Sequence, residues 1–121
     1  MSIARDISEF LNRVKTGVPV EFEDTIALID QHYRFTPSRF SNGEGEDQVV
    51  SEAGTNNGSL KIFSFASQHC LSELETLQLF GKFYREDVLP NPDGQDHRNI
   101  RAFMKFGWRG VHFDGKALDL L

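Results

Sequence analysis

The chain has 121 residues, a formal net charge of −5 and a hydrophobic fraction of 39% that includes eleven Phe; that is enough for one domain around one core and too apolar for a disordered segment. The acidic balance argues against nonspecific binding to nucleic acid or to an anionic membrane, both of which need a basic surface. A single Cys, Cys70, rules out an intrachain disulfide, and neither a signal-peptide pattern nor a bilayer-length apolar run is present, so a cytoplasmic protein is expected unless a secretion system without a cleavable signal exports it.

Residues 3 to 16 place Ile3, Ile7, Phe10, Leu11 and Val14 on one stripe of a helix that Gly17 caps and Pro19 stops. Residues 21 to 34 repeat the pattern with Phe22, Ile26, Ile29 and Tyr33, and Glu21, Glu23 and Asp24 suit the positive end of the helix dipole. Periodicity is lost from Thr36 to Gly58, which reads as a long acidic loop with a short strand at Gln48 to Ser51. Ser59 suits the cap of a third helix to about His69, favoured because Ile62, Phe63, Phe65 and Ala66 share one face, with a buried strand over LKIFSFA as the alternative. Ser72 and Glu75 form a capping box that opens a helix to about Glu86, burying Leu77, Phe80, Phe83 and Tyr84. Pro90 to Gly94 is a turn. Asp96 is the expected cap of the last helix, which buries Ile100, Phe103 and Met104 and ends at Gly107. Trp108 to Phe113 reads as extended, and Asp114-Gly115 is a turn that suits a small C-terminal hairpin.

The run from Asp96 to Gly115 concentrates cationic and aromatic chemistry in an otherwise acidic chain. His97, Arg101 and Lys105 share one helix face at i, i+4, i+8, with Arg109 and the only Trp, Trp108, just beyond. This pattern suits either an anion-binding strip with a stacking surface or a solvated face paired with the acidic loop at 42–52. Upstream, GTNNGSLK (Gly54 to Lys61) offers backbone N–H groups at a helix start, although it lacks the P-loop pattern. Joined, the two segments define a candidate ligand site of Ser59, Lys61, His97, Asn99, Arg101 and Trp108. His69-Cys70 is a weak candidate for nucleophilic chemistry, because neighbours on a helix end diverge by about 100°. The four His show no metal-ligand spacing, so neither a metal nor a cofactor is expected. Asp87, Asp93 and Asp96 are the carboxylates available for acid–base work, and surface turns are ordinarily rich in such residues. Phe63, Phe65, Phe80, Phe83 and Phe103 read as core.

Four blocks carry a family resemblance: FTPSRFSNG (Phe35 to Gly43), AGTNNGSLKIFSFA (Ala53 to Ala66), the stretch from Leu71 to Leu89, and DHRNIRAFMKFGWRGVHFDGKAL (Asp96 to Leu118). In these blocks the chain resembles the HopJ family of small bacterial proteins, named for a type III effector of plant pathogens. The resemblance implies a protein injected into host cells, and it brings no catalytic residues. Members often carry a Cys between the positions of Ser59 and Lys61, where this chain has Leu60.

The expectation is a mainly α single domain over residues 1–121, with about five helices, an irregular acidic segment and a short C-terminal hairpin. The expected function is that of a HopJ-like protein, monomer or weak dimer, that binds a protein partner without catalysis. The alternative is a small-molecule binding protein or enzyme whose anionic ligand sits between residues 58–61 and 97–108.

Overall fold

The computed structural model describes residues 3–121 without the side chains of residues 3 and 4, so the expected seat of Ile3 lies outside the described residues. Helix α1 (Ile3–Lys15) buries Ile7, Phe10 and Val14, with Leu11 at the margin, as its stripe predicts. Gly17 ends it, and the amide of Val18 donates to the carbonyl of Arg13 at 2.9 Å. Helix α2 (Phe22–His32) buries Ile29 completely. It stops before Tyr33, because Tyr33 to Phe35 form strand β1 instead of a last helical turn.

The segment read as a loop is partly ordered. It contains β2 (Phe40–Asn42), a 3-10 turn at Gly45–Asp47 and β3 (Val49–Ser51). The expected strand after Gln48 is present, and β2 is an addition. Helix α3 (Asn57–Gln68) runs through the centre, with Leu60, Ile62, Phe63, Phe65 and Ala66 all at 0% exposure. Phe63 meets the rings of Phe40, Phe80, Phe103 and Trp108, and Phe65 meets Phe10 and Tyr33. Burying one such side chain contributes roughly 1.5–3 kcal/mol. The anchor of the fold is therefore this face, and the position of Leu60 belongs to the core.

Helix α4 (Glu73–Gln78) opens with the predicted capping box: Glu75 N–H donates to Ser72 Oγ at 3.1 Å, and Ser72 N–H to Glu75 Oε1 at 2.8 Å. It does not continue to Glu86. Gly81 adopts φ +59° and the chain resumes as a π-helical turn at Phe83–Val88. A Cβ at Gly81 would lie 2.7 Å from Glu21 Oε1 and 2.7 Å from Phe22 N. The break thus lets the start of α2 close against this corner, where Arg85 pairs with Glu21 at 2.7 Å.

Helix α5 (Arg98–Phe106) ends at Gly107 as predicted and buries Ile100 and Phe103, but Met104 is 43% exposed. Met104 follows Phe103 by one residue and so turns about 100° away from the core. A 3-10 turn at Gly107–Gly110 leads into β4 (His112–Phe113) and β5 (Leu118–Leu120). These last strands do not form the expected hairpin. β4 joins the antiparallel sheet β3-β2-β4, with Phe40 opposite Phe113, and β5 pairs with β1, with Tyr33 opposite Leu120. Ala117 and Leu118 are buried, and Gln68 Nε2 holds the Leu118 carbonyl at 2.9 Å, so the chain after Asp114 turns into the core rather than back along β4. The fold is accordingly mixed, helices with two small antiparallel sheets, and not mainly α. The strands are too short to show an alternating pattern in the sequence.

Candidate functional site

Two helix starts meet over the sheet. Helix α3 begins at Asn56, with φ 51° and ψ 40°, and α5 begins at His97, with φ 48° and ψ 50°. Both residues are left-handed, a conformation that L residues with a Cβ seldom adopt. No side chain caps either helix. The first helical bonds are Leu60 N–H to the Asn56 carbonyl and Arg101 N–H to the His97 carbonyl. The amides of residues 57–59 and 98–100 therefore donate to nothing among the described residues.

Adjacent strands hold these starts in place. Asn56 Nδ2 donates to Ser51 Oγ of β3 at 2.9 Å. Asn42 of β2 donates through Nδ2 to the carbonyl of Asn99 at 2.7 Å and to its Oδ1 at 3.1 Å. Between the two starts lies a cleft of about 550 Å³. Its polar wall includes Asn56, Ser59, Arg98 and Asn99, and its apolar wall includes Phe22 and Phe83. No Asp or Glu lines it. Arg98 is exposed and makes no ion pair or hydrogen bond among the described residues. The positive ends of two helix dipoles and an unpaired guanidinium thus face one space, an arrangement that favours an anion.

Of the residues predicted from the sequence, Ser59, His97 and Asn99 line this cleft. The His97 ring stacks on Phe83 at 5.1 Å and its Nε2 lies 3.0 Å from Asp87, which fixes the imidazole as part of the wall. Lys61, Arg101 and Trp108 lie elsewhere. Lys61 pairs with Asp30 at 2.7 Å and covers the Phe35 ring. Trp108 Nε1 donates to the Leu71 carbonyl at 3.1 Å while its ring packs on Phe63 and Phe103. Arg101 binds the carbonyls of Asn91 and Asp96 and the Asp96 carboxylate, so it holds the turn before α5 together. The Arg101 hydrogen bond also keeps the Asp96 carboxyl below its ordinary range. Asp96 is therefore a partner of Arg101 and not the helix cap.

The basic strip is neutralised within the fold. Lys105 pairs with Asp47, and Arg109 lies 3.4 Å from Glu44, both acids of the 42–52 segment. Phe83, expected in the core, is half-buried and forms cleft wall. Cys70 is exposed, while its neighbour His69 turns to the Tyr33 hydroxyl at 2.7 Å. Asn56, Gln95 and Arg98 are the polar cleft residues absent from the predicted site. The regular i, i+4, i+8 spacing favours the face carrying Arg101, and Arg98 sits about 100° round from His97.

The family model described as HopJ type III effector protein matches residues 7–118. A crystal structure of a protein of unknown function, VPA0580, is 43% identical, with 94% of this chain and 92% of that one covered and a TM-score of 0.89. No curated protein matches the chain.

Proposed function

This chain belongs to the HopJ family, and we propose that it works by binding rather than by catalysis, with an anionic small molecule held in the cleft between the starts of α3 and α5. The observation that carries this reading is the sorting of charge. In a chain of net charge −5, the cleft wall holds no carboxylate, yet it receives two uncapped helix starts and the unpaired Arg98. The basic strip lends no support to the protein-partner alternative, because Lys105 and Arg109 are paired to Asp47 and Glu44. The family description adds a proposed route, delivery through a type III secretion system. A translocation reporter fused to the chain should enter host cells only from a secretion-competent strain.

The test of binding is thermal unfolding against a panel of phosphorylated and carboxylated compounds, with Arg98→Glu as the control. A ligand at 100 times its dissociation constant adds about 2.7 kcal/mol, which raises Tm by several degrees in a domain of this size. The expected result is a shift with some anions that Arg98→Glu abolishes. An unfolding temperature that no anion moves would overturn the proposal.

A further inference from the structure

We infer that the ligand of this cleft is an aromatic phosphate monoester, an inference that rests on the anion-binding reading above. The polar wall carries more donors than a carboxylate can use. Asn99 is only 6% exposed and lines the cleft; its Oδ1 is taken by Asn42, while its Nδ2 donates to nothing among the described residues. Ser59 Oγ and the Arg98 guanidinium are likewise without partners there, and the amides of Gly58 and Ser59 are free. A carboxylate presents about four acceptor positions on two oxygens, whereas a phosphate monoester presents three terminal oxygens and close to two negative charges. With its own oxygen engaged by Asn42, the Asn99 amide nitrogen opens onto the cleft as a donor held in place for an acceptor from outside the protein.

The remainder of the ligand meets rings. Phe22 and Phe83 are half-buried and pack at 5.0 Å and 58°. Phe22 reaches the start of α3 itself, since a Cβ on Gly58 would lie 2.9 Å from Phe22 Cζ. A phosphate seated on the Gly58 amide therefore has an aromatic edge directly beside it. With His97 stacked on Phe83, the wall is a set of ring faces and edges suited to a flat, unsaturated body. The cleft, at about 550 Å³, is also far larger than a bare phosphate needs. Next to it a second cleft of about 520 Å³ shares Arg98 but is walled by Glu46 and Asp47. A second phosphate extending that way would meet carboxylates, so one phosphate is favoured over a chain of them.

Isothermal titration of the intact protein with phenyl phosphate, methyl phosphate, inorganic phosphate and benzoate tests this. Phenyl phosphate should bind at least about tenfold more tightly than each of the others. Asn99→Asp keeps the acceptor for Asn42 and places an acid in the first turn of α5, where it suits the dipole; it should keep the unfolding midpoint yet weaken phenyl phosphate by about tenfold or more. Phe83→Leu should weaken phenyl phosphate and leave methyl phosphate unchanged. Equal binding of methyl and phenyl phosphate would overturn the aromatic part, and tighter benzoate binding the phosphate part, with the anion reading intact in both cases. Wild-type affinity in a folded Asn99→Asp variant would overturn the assignment of its amide. If none of the four compounds binds and the wider panel also leaves Tm unmoved, both the inference and the reading beneath it fall.

Discussion

Asn42, wholly buried on β2, donates one side-chain N–H group to the carbonyl of Asn99 at 2.7 Å and reaches its Oδ1 at 3.1 Å. This contact ties the sheet to the first turn of α5 and sets the direction of the Asn99 amide. Asn42→Leu removes the donor to both oxygens. Asn42 Oδ1 is itself buried without a partner, which offsets part of the loss. The expected cost is about 2 kcal/mol in urea unfolding. Asn42→Asp should cost more, about 3 kcal/mol or beyond, because a buried carboxylate would then face two oxygens. Equal stability of wild type and both variants would show that this contact does not hold the helix start.

Gly81 tests the break between α4 and the π-helical turn. Its φ of +59° costs an L residue roughly 1–2 kcal/mol. The contacts a Cβ would make with Glu21 and Phe22 at 2.7 Å add a comparable amount, roughly 1–3 kcal/mol. Gly81→Ala should therefore destabilise by about 3 kcal/mol. Gly17→Ala is the control: φ is +83° there, but nothing lies within 4 Å of the added carbon. It should cost only the backbone part, about 1 kcal/mol. If both variants lose the same stability in chemical denaturation, the packing account of Gly81 is wrong.

What the sequence discloses follows from how local each cause is. The Ser72–Glu75 capping box and the apolar face of α3 are set by neighbours in the chain, and both are legible. The split of β4 and β5 between two sheets is not, because it depends on where Ala117 and Leu118 are buried relative to α3. The site is legible in part for the same reason. Hydroxyl, amide and imidazole groups at 59, 97 and 99 announce polar chemistry, but Asn56 and His97 give no sign of their left-handed backbone. Without it, Asp96 is the natural cap, and helical spacing alone assigns Arg101 the place that Arg98 takes at the cleft. Trp108 looks like a stacking surface until Phe63 and Phe103 enclose its ring.

Stability should fall in mild acid, and His69 supplies one cause. Burial first, then the charge of Lys15, hold its pKa below the ordinary value of 6.5. The folded protein favours the neutral ring, whose Nε2 lies 2.7 Å from the Tyr33 hydroxyl beside the Phe65 ring. As pH falls the unfolded chain binds the proton first, so this contribution is complete above the unfolded value near 6.5 and is lost as pH drops through the folded value. Tyr33 acts at the other end. Burial raises its pKa above 10.0, the unfolded chain ionises first, and stability falls as pH rises past that point. Urea midpoints measured from pH 5 to 8 should decline toward acid, and His69→Gln should flatten that decline. An identical slope in the variant would remove His69 from the account.

Arg101 and Lys105 occupy equivalent places on the sequence stripe, yet the structure gives them unequal duties. The Arg101 side chain is 16% exposed and joins Asn91 and Asp96 through three hydrogen bonds of 2.6–2.7 Å. Lys105 and its partner Asp47 are 63% and 56% exposed. Arg101→Ala should destabilise by about 1 kcal/mol, because the turn loses three hydrogen bonds from a charged donor that is itself mostly buried. Lys105→Ala should change stability by less than about 0.5 kcal/mol, and that small effect should fade in salt. Hydrogen exchange adds a local readout: amides of residues 91–96 should exchange faster in Arg101→Ala and unchanged in Lys105→Ala. Should Arg101→Ala prove as silent as Lys105→Ala, the guanidinium is not committed to the turn. It would then be available to a ligand, and the strip His97, Arg101, Lys105 would return as the binding face in place of the cleft around Arg98.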